Sequence, residues 1–237
     1  MEGDAVKEQL YFKLRGITSE FYDSYTIPTY MAQVLPRSLS DRILDFGCGL
    51  GQTMNALRLR GYDSVSGVDI SDESVEHCRK IGLNVERISD VFGHAEKHRE
   101  DYDLIIMSHV LEHIEKPMII SHLRAIKSML RSNGALLIMV PNAQSNTDCY
   151  WAYEDFTHST LFTPGSLSYV LRAAGFEQLR FLDPYCVEGL PTYRRLIKLS
   201  LLRIFKANKT FWNRVTGSFY HRPSPAIFSY ELKALAQ

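Results

Sequence analysis

The stretch Arg42–Gly51, Arg-Ile-Leu-Asp-Phe-Gly-Cys-Gly-Leu-Gly, constrains this chain more than any other. Ile43 and Leu44 supply a short apolar strand, Asp45 closes it, and Gly47, Gly49 and Gly51 follow at alternate positions. Glycines so placed let the backbone turn through conformations that a Cβ penalises, and let it approach a ligand closely. Gln52 to Arg60 then carries Met54 and Leu57, with Gly61 where a helix C′ residue belongs. The turn therefore delivers free backbone N–H groups to a helix N-terminus, which attracts a carboxylate or phosphate.

The next element narrows the ligand. Ser64 to Val68 reads as a second strand ending at Asp69, 24 positions after Asp45, where a nucleoside site keeps the acid that binds two ribose hydroxyls. A dinucleotide fold spaces its glycines G-x-G-x-x-G; here the spacing is G-x-G-x-G, with an aspartate two residues before the first glycine. That pattern resembles the first motif, E/D-x-G-x-G-x-G, of the class I S-adenosylmethionine-dependent methyltransferases. Val68-Asp69-Ile70-Ser71 resembles the second motif, which implies Asp69 on the ribose and Ile70 against the adenine. Ser89-Asp90-Val91 resembles the third, whose acid meets the adenine amino group. Tyr102 to His113 resembles the fourth strand and its turn, which implies His109 at the cofactor wall, and Gly134 to Asn142 resembles strand five. The ordered set runs from Arg42 to Leu182 and is more specific than any one motif.

The resemblance implies S-adenosylmethionine as cofactor, held by Asp45, Gly47, Cys48, Gly49, Asp69, Ile70, Asp90, Val91 and His109, with no metal. Cys48 is more readily read as merely a small residue that fits the turn. The implied fold is α/β: a doubly wound, Rossmann-like, seven-stranded, mostly parallel sheet whose last strand, Ala226 to Leu235, inserts antiparallel. An N-terminal helical cap and a basic helical insert before that strand complete it. At 237 residues, 45% hydrophobic and 23% charged, the chain is long enough for one sizeable core and short for two domains. The expected parts of this single domain are a cap over 1–39, a cofactor-binding core over 40–182, the insert over 183–225 and the last strand over 226–237.

Several function classes recede. The longest apolar run, Ala135 to Val140, is far below the roughly 18 residues of a membrane span, and the N-terminus does not read as a signal peptide. Four cysteines without paired spacing or a metal-ligand cluster fit a reducing compartment, so a cytoplasmic location is expected. Zero net charge, and the lack of an Asn-Pro-Pro-Tyr-type motif after strand four, argue against nucleic acid as acceptor.

Helix signals punctuate the core. Ser71 is an N-cap candidate followed by Asp72 and Glu73. Lys116-Pro117 opens a helix with Ile119, Leu123, Ile126 and Leu130 on one face, stopped by Gly134; Thr163-Pro164 opens another, closed at Gly175. Before the first strand, Leu10, Tyr11, Leu14, Phe21, Tyr22, Tyr25 and Tyr30 form an aromatic-rich segment. It reads either as a lid over the acceptor or as packing on the flank of the sheet.

The implied chemistry is displacement at a sulfonium methyl, in which the protein aligns the acceptor and manages one proton. Three histidines compete for that proton. His158, in the polar loop Tyr153 to Thr163 after strand five, reads as the general base with Asp155 orienting its ring; a loop-pinning hydrogen bond explains it equally well. His109 reads as cofactor wall, and His113, beside Glu112, as structural. The loop resembles the Asp-x-x-His-x-x-x-Phe-Thr stretch of methyltransferases for lipopolysaccharide and capsule sugars, although Ser159-Thr160-Leu161 replaces a frequent basic residue. The expected reaction is methyl transfer to a hydroxyl of a sugar or glycan precursor. A quinone or amine acceptor, and a non-catalytic regulatory cofactor-binding subunit, stand as alternatives.

The stretch Gly189 to Tyr230 has no Asp or Glu and eight Lys or Arg. Taking those eight from the 27 basic residues leaves 19 against 27 acidic, so the neutral total hides two opposed poles. Tyr193, Ile197, Leu201 and Ile204 recur at helical spacing, and Leu196, Leu199 and Leu202 widen that side. Two readings follow: an interfacial helix on an anionic membrane, or a helix packed on the sheet or on a second subunit in a homodimer.

Overall fold

The computed structural model describes residues 14–18, 20, 24–218 and 224–237. Leu10, Tyr11, Phe21, Tyr22 and Arg222 lie outside the described residues. In chain order the elements are α1 (Thr29–Ala32), β1 (Ile43–Phe46), α2 (Gln52–Leu59), β2 (Val65–Asp69), α3 (Asp72–Lys80), β3 (Val85–Arg87), α4 (Val91–Lys97), β4 (Tyr102–Ser108), two 3₁₀ turns (Leu111–His113 and Lys116–Met118), α5 (Ile119–Met129), β5 (Leu130–Pro141), α6 (Tyr150–Tyr153), α7 (Pro164–Ala173), β6 (Leu179–Phe181), α8 (Thr192–Thr216) and β7 (Glu231–Ala236).

Strands β1 to β5 pair in parallel, and β7 runs antiparallel between β5 and β6, giving the order β3-β2-β1-β4-β5-β7-β6. The expected seven-stranded, mostly parallel sheet is present. Every residue of β1 is buried because both faces of the sheet are covered. Ile43, Leu104, Ile106 and Leu137 pack on one face with Leu57 of α2 and Met31 of α1. Leu44, Ile105 and Ile138 point the other way, onto Leu123 and Ile126 of α5 and Leu167 and Leu171 of α7. Each such side chain contributes about 1.5–3 kcal/mol by leaving water.

Local signals start the helices as their chemistry requires. Ser71 accepts from the Ser74 N–H at the head of α3, and Thr163 and Ser166 exchange hydrogen bonds in a capping box at the head of α7. The end of α5 departs from expectation: the helix stops at Met129, because Leu130 is drawn into the sheet beside Tyr102. Gly134 serves the strand instead, since a Cβ there would lie 2.8 Å from the Tyr102 carbonyl. The last strand begins at Glu231, five residues later than its apolar pattern suggests.

The insert brings the largest correction. It forms the 25-residue helix α8, none of whose residues is fully buried: Leu199, Leu202 and Phe205 are half-buried while Leu196, Ile197, Leu201 and Ile204 stay exposed, so the reading that its apolar side packs on the body holds for one edge alone. Contact with the body runs along a narrow edge: Phe205 meets Phe228 at 5.3 Å, Lys206 stands 4.5 Å above the Tyr185 ring, and Lys198 Nζ donates to the Cys186 carbonyl at 2.7 Å. Helical spacing turns Tyr193, Ile197, Leu201 and Ile204 to the opposite side.

Candidate cofactor and acceptor site

The C-terminal ends of the parallel strands meet at one edge, where an α/β sheet binds its ligands. After β1 the chain turns through Gly47, Gly49 and Gly51 at φ +76°, +52° and +78°. L side chains avoid this left-handed region, and a Cβ on Gly47 would overlap Val110 Cγ2. Gly47 N and Cys48 N both donate to the Val68 carbonyl, at 2.8 and 3.1 Å, which ties the turn to the end of β2. Gly51 is the N-cap of α2 and no side chain caps the helix there, so its first-turn N–H groups remain available. Gln52 Oε1 beside them is buried without a hydrogen-bond partner.

Two carboxylates close the turn. Asp69 accepts from Gly49 N at 2.8 Å and from Ser71 N at 2.9 Å. Burial pushes its carboxyl up, while the backbone donors of Ser71 and Gly49 oppose that shift. Asp45, only 2% exposed, is pushed up to about 7, by burial first and by the charge of Asp69 second. Ile70 stands 45% exposed beside them. Asp90 is exposed and caps α4, accepting from Phe92 N at 2.8 Å and Gly93 N at 2.9 Å; the Gly93 donor, with the Ser89 hydroxyl, holds its carboxyl below the usual range. The Cys48 and Val91 side chains are buried in the core, which leaves their main-chain groups as what they could offer a cofactor.

These groups fit S-adenosylmethionine. Asp69 offers acceptor capacity for ribose hydroxyls and Ile70 an apolar surface for a base. The uncapped N-terminus of α2 suits a carboxylate, and the Asp45–Asp69 pair, once ionised, would offer negative charge to a cationic group.

The histidines are arranged differently from the expectation. His158 is turned inward, its side chain 7% exposed, with Nδ1 donating to the Trp151 carbonyl at 2.6 Å. Its Nε2 lies 4.0 Å from Glu112 Oε1 and 3.9 Å from Asp155 Oδ2, beyond hydrogen-bond reach of either. Asp155 instead pairs with Arg15 at 2.8 Å and accepts from the Thr157 N–H and hydroxyl at 3.0 and 2.6 Å. His113 meets the Thr157 hydroxyl at 2.9 Å and the His158 ring at 4.9 Å, a packing role; burial holds its pKa down.

His109 is the exposed one. It follows β4 at φ +54°, a conformation that costs a non-glycine residue energy and that clusters at functional sites. Its side chain is 45% exposed, and Nδ1 lies 3.1 Å from Oε1 of the fully buried Glu112. With the Glu112 oxygen as acceptor, Nδ1 carries the hydrogen and Nε2 of the neutral ring keeps its lone pair. Burial opposes protonation, but the hydrogen bond and charge of Glu112, with Glu231 3.9 Å from Nε2, outweigh it and raise the pKa.

A methyltransferase-domain family model matches residues 21–180. The chain belongs to this methyltransferase family. Two curated relatives are ubiquinone biosynthesis O-methyltransferases. The one from Photorhabdus laumondii is 30% identical over 135 residues, 53% of this chain and 55% of the relative. The one from Yersinia pestis is 25% identical over 158 residues, 60% of this chain and 64% of the relative. The methyltransferase chain thus spans about half to two-thirds of the curated relatives it matches. Among solved structures, a SAM-dependent methyltransferase from Archaeoglobus fulgidus superposes with a TM-score of 0.65 over 96% of this chain and 97% of that one, at 20% identity. Another, from Mesorhizobium loti, gives 0.56 over 86% and 94%, at 17% identity. At such identities the likeness is one of fold.

Within the methyltransferase, Asp45, Gly47, Gly49, Asp69 and Ile70 come together as the sequence implies. Sequence reasoning missed Glu112. It is 0% exposed, its Oε2 has no hydrogen-bond partner, and its carbonyl accepts from Ser159 N at 2.8 Å and Thr160 N at 3.2 Å, so it organises both the His109 ring and the loop that carries His158. The signal available was an acid three residues after His109 on a turn that puts both on one side. Tyr25, hydrogen-bonded to Thr53 of α2, and Tyr30 are half-buried against the sheet flank and sense the charge of Glu231, so the aromatic segment both packs and borders the site. A separate concavity of about 580 Å³ opens around Arg124, Lys127, Gly134 and Gln237 and holds none of these groups.

Proposed function

We propose that this methyltransferase moves the methyl group of S-adenosylmethionine to a hydroxyl on a small aromatic acceptor, with His109, oriented by Glu112, taking the hydroxyl proton. The observation that carries the reading is the His109–Glu112 pair: a half-exposed imidazole at the end of β4 whose Nδ1 is held by a buried carboxylate and whose Nε2 is left to act. The cofactor supplies the electrophilic sulfonium methyl. The chain's own groups align the acceptor oxygen and receive its proton at Nε2 as the oxygen–carbon bond forms and the carbon–sulfur bond breaks.

A phenolic acceptor suits this base. A phenol with a pKa of about 10 is within reach of an imidazole whose pKa is raised, whereas a sugar hydroxyl lies much further from neutrality. Burial lifts the Tyr25 and Tyr30 hydroxyls above the usual tyrosine range, so they serve as neutral hydrogen-bonding and stacking groups. The names of the curated relatives also point to a hydroxyl on a ring compound. The glycan reading rests on the resemblance of the loop around His158, the histidine that faces inward.

The test is methyl transfer to a simple catechol and to nucleotide sugars, followed as S-adenosylhomocysteine formation. Catechol turnover that falls about 10²- to 10⁴-fold in His109→Ala, with cofactor affinity kept and His158→Ala affecting folding more than turnover, supports the proposal. Turnover within a few-fold of wild type in His109→Ala, or methylation of a nucleotide sugar alone, overturns it.

A further inference from the structure

Among the described residues, α8 carries an unpartnered apolar ridge. Tyr193, Ile197, Leu201, Ile204, Phe211 and Val215 are 57–67% exposed and fall on the side of the helix turned away from the body. Over 25 residues the helix extends about 37 Å. It holds seven basic residues, Arg194, Arg195, Lys198, Arg203, Lys206, Lys209 and Arg214, and no acidic one. At 100° per residue, Arg203 and Arg214 fall on one side of the ridge and Arg194 on the other, while Lys198 and Lys206 reach back to the body.

We infer that α8 is an interfacial helix that docks the protein on an anionic lipid bilayer, ridge downward. The charge pattern selects this occupant. A partner for this surface must be apolar beneath the ridge and negative beside it, and the interface of an anionic bilayer is both. Pairing α8 with the α8 of a second copy would set seven positive charges against seven. Trp212, 55% exposed, and Tyr193 supply the amphipathic rings that settle at headgroup depth. No helix among the described residues is long and apolar enough to cross a membrane, so α8 lies on the surface.

A chain of contacts joins the body-facing side of α8 to the candidate site. Lys198 holds the Cys186 carbonyl, Lys233 Nζ lies 3.7 Å from Cys186 Sγ, and the same ammonium stands over the Tyr30 ring at 4.9 Å and the Tyr230 ring at 5.7 Å. Those tyrosines sense the charge of Glu231, which faces His109. The docking itself is independent of the acceptor chemistry proposed above.

The experiment is co-sedimentation of the full chain with phosphatidylcholine vesicles, pure or containing about one-third phosphatidylglycerol. The protein is expected to pellet with the anionic vesicles only, and to be released as salt shortens the Debye length to roughly 3 Å at 1 M. Changing Arg194, Arg203 and Arg214 to Glu is expected to weaken partitioning by about 10²-fold or more. Ile204→Ser with Phe211→Ser, which leaves the charge alone, is expected to abolish it. In the unaltered protein, tryptophan emission should shift to the blue on vesicle addition, and Trp212→Phe should remove that shift; this reading stands even if a multiple variant fails to fold. Equal recovery in the supernatant from anionic and neutral vesicles overturns the inference. So does anionic binding that the ridge variant leaves intact, or a dimer that the ridge variant splits, which would assign the ridge to a second copy.

Discussion

Asp45→Asn is expected to stabilise the cofactor-free protein increasingly as pH rises from 5 to 8. Asp45 is held at 2% exposure between the glycine turn and Asp69, and its carboxyl is pushed up to about 7 from an unperturbed 3.8. A folded pKa raised above the unfolded one gives stability that is fully present below pH 3.8 and lost as pH rises through about 7. Between pH 5 and pH 7 the unfolded chain has released this proton and the folded chain keeps it. Wild type therefore loses about 1.4 kcal/mol per pH unit from this group, about 3 kcal/mol over the interval. For a chain of this size, about 2–4 °C in Tm per kcal/mol makes that about 6–12 °C. Asparagine does not titrate, so the Tm difference between variant and wild type should widen by that amount between pH 5 and 8, while contributions from the histidines cancel in the subtraction. Scanning calorimetry of both proteins across this range measures it. Parallel Tm curves would refute the reasoning, since they would mean that Asp45 titrates alike in both states. The same group links to the ligand: a cationic cofactor beside Asp45 is held better once the carboxylate is ionised, so wild-type affinity should rise through about pH 7 and the variant's should not.

Asp69→Asn keeps one acceptor and turns the other toward a backbone N–H as a donor, so S-adenosylmethionine affinity by titration calorimetry should fall roughly 10- to 100-fold, the loss of one charge-assisted hydrogen bond of about 1.5–3 kcal/mol. Unchanged affinity in the folded variant would remove the ribose assignment. Glu112→Gln should move the acid limb of the pH–rate profile to lower pH, because the charge that raises the His109 pKa is gone; an unmoved limb would detach His109 from the chemistry. Gly47→Ala should cost at least about 1–2 kcal/mol by chemical denaturation, from the left-handed backbone and the overlap with Val110 Cγ2, and wild-type stability would mean that the turn is loose.

What the sequence alone determined is the part built from neighbours along the chain. The glycine turn, the helix caps at Ser71 and Thr163 and the acid ending β2 depend on interactions within a few residues, and an apolar run bounded by turn residues forms a strand in any such sheet. The tertiary structure decided the rest, through contacts between residues far apart. Tyr102 draws Leu130 out of its helix, although helical spacing continues that face through it. Asn142 anchors the end of β5 by donating to the carbonyls of Ile227 and Ser229 at 2.9 and 2.7 Å, more than 80 positions away. Of His109 and His158, both on turns after strands, the one whose ring stays exposed was fixed by the Trp151 carbonyl and by the burial of Glu112, which no local pattern encodes. The periodicity of α8 likewise revealed an apolar side but not its direction, because periodicity describes a face and only the packed body shows whether anything stands against it.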